Sequence, residues 1–133
     1  MGIFKAFKTQ KLVVDFYFNK LVIKNLLTNK TLSKNATKPF SHQRTILANY
    51  LHLEELLKSM LKELTLDSPF GKLKLIAKLG EPIEGGITEI EKRAICDSLQ
   101  HSGARFVYFS EKTVPLSTRE ALKIIEDETK LMF

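Results

Sequence analysis

The sequence has a single cysteine, Cys96, in 133 residues. That excludes an internal disulfide and any cysteine-based zinc cage. Its three histidines, His42, His52 and His101, are scattered and show no ligand spacing. No apolar run reaches the ~18 residues that a membrane span needs. The chain opens without the basic, apolar, small-residue leader of a secretory signal, so a cytoplasmic protein is expected. Acids are almost missing from the first third: residues 1–45 hold Asp15 alone against nine Lys or Arg. Internal repeats and low-complexity tracts are missing too.

What is present reads as a globular protein, 44% hydrophobic and 27% charged. A single domain over residues 1–133 is expected, with little room for a two-domain catalytic cleft. The formal net charge is +6, made of +8 on residues 1–45 and −2 on residues 46–133. Lys20, Lys24, Lys30, Lys34 and Lys38 carry much of the positive part. Such a field attracts phosphate, acidic lipid or an acidic protein face. Outward lysines also blunt a sheet edge, which is the structural alternative.

Residues 1–8 (MGIFKAFK) place Ile3, Phe4 and Phe7 at helical spacing beside Lys5 and Lys8. This is either a short amphipathic segment making weak membrane-surface contact or an apolar lead-in to the first strand. Residues 12–18 (LVVDFYF) are β-branched and aromatic, as a strand buried on both faces should be. Asn19 and Lys20 turn the chain into a second strand at 21–27. A turn at 28–30 leads to a polar third strand at 31–40, toward an edge. Short turns make these three an antiparallel meander.

Asn49 is placed to cap a helix in which Leu53, Leu56, Leu57, Met60, Leu61 and Leu64 form one stripe. DSPFG at 67–71 stops it. A fourth strand follows at 72–79 and a loop at 80–86. Thr88 and Glu91 form a capping box opening a helix to about Gln100, with Ile90, Ala94, Ile95 and Leu99 as its buried face. Gly103 suits the left-handed position behind it. A fifth strand spans 105–110, and a second capping box, Ser117 with Glu120, opens a last helix at 118–131. The order βββ-α-β-α-β-α predicts antiparallel pairing in the first half and parallel pairing in the second. That is an α/β, ribonuclease H-like, mixed five-stranded sheet with flanking helices.

Pro82-Ile83-Glu84-Gly85-Gly86-Ile87-Thr88-Glu89-Ile90-Glu91-Lys92-Arg93-Ala94-Ile95 resembles the P-x-G-x-T-x-V-E-R-R-A-I segment of the MreB-type bacterial actins. His101-Ser102-Gly103-Ala104-Arg105-Phe106-Val107-Tyr108 resembles the A-G-A-R-x-V-Y strand start of that family. Thr37-Lys38-Pro39-Phe40 followed by Ile46-Leu47-Ala48-Asn49-Tyr50 is similar to its R-P-x-x-x-G-V-I-A-D-F approach to the first helix. Residues 12–23 (LVVDFYFNKLVI) stand where the family has its first hairpin, I-D-L-G-T-A-N-T-L-I. The resemblance implies the first subdomain of the superfamily of actins, sugar kinases and heat-shock chaperone ATPases, and hence a ribonuclease H-like fold.

The departures bear on function. In the family, the Gly-rich turn of the first hairpin holds phosphate on backbone N–H groups, and the leading Asp supports magnesium. Asp15 remains here as a remnant, but Phe16-Tyr17-Phe18-Asn19 replaces the small residues, and rings bar a close phosphate. The family's E-E-P motif after the fifth strand reads Glu111-Lys112-Thr113. The chain stops at Phe133, near the end of the family's first subdomain, leaving the second phosphate hairpin, the adenosine pocket and the opposing lobe outside it. The resemblance with these losses implies no ATPase activity and no cofactor.

Other chemistries have weaker support. A two-metal nuclease on this fold needs three or four clustered carboxylates. Asp15 is suitably placed, but the rest would come from Glu54 or Glu55 and from Glu81 and Glu84. Asp15 reads equally well as a solvent-facing strand residue. Cys96 and His101 sit about 140° apart around a helix and are no dyad; Cys96 reads as a buried thiol, and His42 and His52 as surface residues without partners. Gly85 and Gly86 precede a capped helix, an anion-binding arrangement, but Glu81, Glu84, Glu89 and Glu91 make the spot acidic, so the glycines serve the turn.

The expectation is a non-catalytic, actin-like single lobe acting in protein–protein interaction. Its partner would be an actin-like or cell-envelope assembly protein of the rod-shape cytoskeleton, or a second copy. The candidate face comprises Lys20, Lys24, Lys30, Lys34 and Lys38 with the loop at 111–116, including Glu111 and Lys112. The competing expectation is a binder of nucleic acid or an anionic surface through the same lysines.

Overall fold

The computed structural model describes residues 9–64 and 73–127. The order is β1 (Gln10–Tyr17), β2 (Lys20–Asn25), β3 (Thr31–Asn35), α1 (Tyr50–Leu64), β4 (Leu73–Leu79), α2 (Glu89–His101), β5 (Phe106–Ser110) and α3 (Thr118–Glu126). The lead-in at 1–8, the helix stop at 67–71 and the last helix beyond residue 127 lie outside the described residues.

Asparagines set the hairpins. Asn19 (φ 55°) and Asn29 (φ 60°) take the left-handed conformation that this side chain tolerates. Asn25 ends β2 by accepting from the Leu27 and Thr28 N–H groups at 2.9 and 3.3 Å. Its amide donates to the Leu64 carbonyl at 2.7 Å, which also closes the end of α1. The third strand stops at Asn35 rather than running to residue 40, because the chain leaves the sheet to bury Phe40 completely. The Asn19 side chain holds that departure, accepting from the Phe40 and Ser41 N–H groups at 3.0 and 2.8 Å.

The five strands lie in the order β3-β2-β1-β4-β5. β1 and β2 pair antiparallel, as do β2 and β3, while β4 runs parallel to both β1 and β5. α1 and α2 cover one face of the sheet and α3 the other. Strand alternation divides β1 between two cores. Leu12, Val14 and Phe16 join Leu21, Ile23, Leu75, Ala77 and Val107 beneath α1 and α2. Val13 joins Ile76, Ala121 and Ile125 beneath α3.

Both capping boxes form, Thr88 with Glu91 and Ser117 with Glu120. Asn49 accepts from the His52 N–H at 3.1 Å at the start of α1. The α1 stripe is buried at Leu53, Leu57, Met60, Leu61 and Leu64, with Leu56 half-buried. A second expectation is corrected: Ile90 is not on the buried face of α2 but is 82% exposed. At about 100° per residue it lies about 140° from Ile95 and opposite Leu99. Ile95 and Leu99 are buried as expected, joined by Cys96 and Ser98, and Ala94 is half-buried.

Candidate functional site

The strands that run parallel, β1, β4 and β5, end together beside the point where strand order reverses, the usual place for a ligand in an open α/β sheet. Register aligns Asp15 of β1 with Lys78 of β4 and Ser110 of β5, in one row on the face that carries α3. The Lys78 ammonium donates to Asp15 Oδ1 at 2.8 Å and to the Leu79 carbonyl at 3.2 Å. Its side chain is 2% exposed, that of Asp15 26%. A buried ammonium is tolerated only with its charge met, and Asp15 meets it. The carboxylate expected as a magnesium remnant is thus the counter-ion of a lysine. In the sequence, Lys78 is one lysine among three in KLKLIAKL, and nothing local marks it as buried.

Tyr17 and Gly80 close the same end of the sheet. A Cβ on Gly80 would fall 2.0 Å from the Tyr17 ring, so only glycine lets the ring lie there. The Gly80 N–H donates to the Phe16 carbonyl at 2.9 Å, extending the β1–β4 ladder by a residue. Lys20 places its ammonium 5.1 Å from the Tyr17 ring centre on the hairpin side. Burial, with the charges of Asp15 and Glu81, pushes the Tyr17 hydroxyl above its usual pKa. The turn itself is committed internally: the Asn19 N–H donates to Ser41 Oγ at 3.0 Å. A phosphate-holding turn needs that group directed outward.

Glu111, just past β5, pairs with Lys92 of α2, which also bonds Glu89 at 3.0 Å and lies 5.9 Å from the Phe109 ring centre. The bonds to Glu111 and Glu89 raise the Lys92 pKa, against a smaller opposing effect of burial. Lys112 reaches Glu120 of α3 at 4.0 Å.

The sheet separates the five lysines. Lys20 and Lys24 share the α3 face, and Lys24 donates to Thr118 Oγ1 at 2.8 Å. Lys34 stands in register with buried Leu21, on the face beneath α1, and pairs with Glu63 at 3.2 Å. Lys38 pairs with Glu55 at 3.6 Å, and Lys30 is exposed in the turn before β3. Pleating directs neighbours to opposite faces, so a run of lysines along a hairpin is not one surface.

The remaining candidates are dispersed. Among the described residues, no three His, Cys, Asp or Glu side chains are close enough to share a metal ion. Cys96 is fully buried, and burial pushes its thiol up to about 12. Gly85 and Gly86 take positive φ of 80° and 76° in the turn before α2. His52 is not without a partner: its Nδ1 lies 2.7 Å from the Pro39 carbonyl. His101 lies 2.8 Å from Glu54, a carboxylate on α1 that is only 6% exposed, a pairing across two helices that sequence reasoning missed. Beside that pair, a groove of about 580 Å³ between α1 and α2 is lined by Tyr50, Leu51, Glu54, Ala94, Asp97 and His101. Tyr50 and Leu51 are 59% and 62% exposed.

No protein-family model and no curated protein matches the sequence. Among solved structures, the chain is similar to MreB5 of Spiroplasma citri bound to ADP, with TM-score 0.51 and 12% identity over 77% of this chain. A second structure of that protein, bound to AMPPNP, gives TM-score 0.48 at the same identity and coverage. The match spans 38% of the MreB5 chain. The mixed five-stranded sheet with the three helices of the described residues therefore has an actin-like, ribonuclease H-like fold.

Proposed function

We propose that this chain is an MreB-like lobe that neither binds nor hydrolyses nucleotide and acts by binding protein. The observation that carries the reading is the Asp15–Lys78 pair at the end of the sheet that the Tyr17 ring and Gly80 close. An ammonium fixed at 2.8 Å from Asp15 stands where a magnesium shell would need that carboxylate. A buried cation in that place also removes the electrostatic reason to recruit another. No water-activating role falls to Glu111, whose carboxylate is tied to Lys92.

The apolar side chains at the helix surface support a protein partner. Tyr50, Leu51 and Ile90 are all more than half exposed on α1 and α2. Exposed aromatic and aliphatic side chains beside a groove are the usual core of a protein interface. By the resemblance, the partner is an actin-like or cell-envelope assembly protein. The division of the lysines between two sheet faces weighs against a continuous nucleic-acid track.

Thermal unfolding with and without magnesium and ATP tests the first half. Nucleotide at about 100 times its Kd would add about 2.7 kcal/mol, which is several degrees in Tm. The expected shift is none, and a clear stabilisation that disappears in Asp15→Asn sinks the reading. Affinity capture from native lysate by the wild-type chain and by Ile90→Asp tests the second half. Equal recovery of the same protein by both removes the helix surface from the argument.

A further inference from the structure

β3 ends the sheet, and its outer side has a definite polarity. The Ala36 N–H donates to the Asn19 carbonyl and the Asn25 N–H to the Lys30 carbonyl, both at 2.8 Å. In an antiparallel ladder, alternate residues direct both backbone groups to the same neighbour. Leu32 and Lys34 therefore bond β2, while Thr31, Ser33 and Asn35 direct N–H and C=O away from the sheet. All three are exposed, and among the described residues no strand pairs with them. Alongside this edge lies a cleft of about 320 Å³ between β3 and α1, lined by Lys34, Ala36, Lys38, His52, Glu55 and Leu56.

We propose that this edge takes an extended, acidic segment of a partner protein as a sixth strand, with alternate side chains lying in the cleft between β3 and α1. The proposal rests on the protein-binding reading above and names the surface and the partner chemistry. A strand edge beside a helix is a known peptide-recognition arrangement: main-chain bonds supply affinity and the groove reads alternate side chains. Side chains of the added strand on the α1 face land next to Leu32 and Lys34. Leu32, Ala36 and Leu56 are partly buried apolar neighbours there.

Charge selects the partner. Lys30, Lys34 and Lys38 flank this edge, against Glu55 and Glu63 of α1. Lys34 and Lys38 are held by Glu63 and Glu55, but the Lys38 pair is exposed on both sides and the Lys34 pair remains open to solvent, its lysine half-buried. Exposed pairs contribute little to stability, so an incoming carboxylate exchanges with them at little cost. A second copy is disfavoured, because edge-to-edge pairing would bring two sets of Lys30, Lys34 and Lys38 together. Nucleic acid is disfavoured because the edge presents carbonyls alongside its N–H groups, and a phosphate accepts only.

The test is an amide-resolved NMR titration with an acetylated, amidated peptide alternating glutamate and valine. Counter-arms are a lysine–valine peptide and a single-stranded oligonucleotide. The expected result is perturbation centred on Thr31, Ser33 and Asn35, weakened by added salt. Ser33→Pro removes one outward N–H and leaves the β2 ladder whole, so Tm should hold while affinity falls at least ~10-fold. Lys34→Glu is expected to weaken the acidic peptide and favour the lysine–valine one. Shifts that map elsewhere, equal binding by Ser33→Pro, or the oligonucleotide alone shifting these amides would overturn the proposal. None of these results bears on nucleotide binding, and a stabilisation by magnesium-ATP would leave this edge unchanged.

Discussion

An ammonium group as deeply enclosed as that of Lys78 depends on its counter-charge, and Asp15 lies 2.8 Å away. The two partners are unequal. Asp15→Asn leaves a buried cation without its counter-ion, and we expect a loss of about 3–5 kcal/mol, read as a lower urea midpoint. Lys78→Met leaves a carboxylate already 26% exposed and should be clearly milder. Equal losses in the two variants would contradict this assignment. Cys96 supports a second residue-scale prediction. Burial pushes its thiol up to about 12 in the folded chain, from an ordinary 9.0. The folded pKa is raised, so this contribution to stability is full below pH 9 and declines between 9 and 12, where only the unfolded thiol ionises. Thiol labelling of the native protein at neutral pH should be negligible and should become complete in denaturant. Cys96→Ala should flatten the alkaline fall in stability.

At the scale of elements, caps decide where helices begin. The Thr88 side chain accepts from the Glu91 N–H at 3.1 Å, and Glu91 reaches back to the Thr88 N–H at 3.1 Å. Glu91 also takes the Thr45 hydroxyl at 2.8 Å, which ties the loop before α1 to the start of α2. Burial works to raise the Glu91 carboxyl, but the bonds from Thr88, Thr45 and Ile46 together lower it. The stability it supplies is therefore present above the unfolded pKa and is lost as pH falls through the lower folded value. Thr88→Ala should cost about 1 kcal/mol in chemical denaturation. The acid limb of the stability profile should also become shallower in that variant. Both capping boxes and the Asn49 cap were legible in the sequence, because a cap is made by side chains within four residues of each other. Strand ends were less legible. β3 stops at Asn35 because Asn19, sixteen residues earlier in the chain, captures the Phe40 and Ser41 amides.

Across the whole molecule, the order of strands and helices follows from local patterning, and the actin-like likeness agrees with it. The distribution of charge does not follow in the same way. The +8 of residues 1–45 reads as one field along the chain, but pleating sends Lys20 and Lys24 to one face and Lys34 to the other. Ile90 illustrates the same limit for apolar residues, being helical in spacing yet 82% exposed. Ile90→Asp should therefore leave Tm unchanged within about 2 °C, since a surface substitution typically falls within ±0.5 kcal/mol. A large drop in Tm would place Ile90 in the core.

The sequence by itself determined the α/β order, the helix starts, the hairpin meander and the bulky aromatic residues before the first turn. Each depends on residues near one another in the chain, where periodicity, caps and turn chemistry operate. Only the tertiary structure decided what the Asp15 carboxylate does. Asp15 and Lys78 are 63 positions apart and meet because β4 returns parallel to β1 in one particular register. The same return places the Tyr17 ring over Gly80, and among the described residues the same sheet leaves β3 with one side unpaired. Register fixes which charges are neighbours, and register is set by the packing of two cores rather than by any single stretch of sequence.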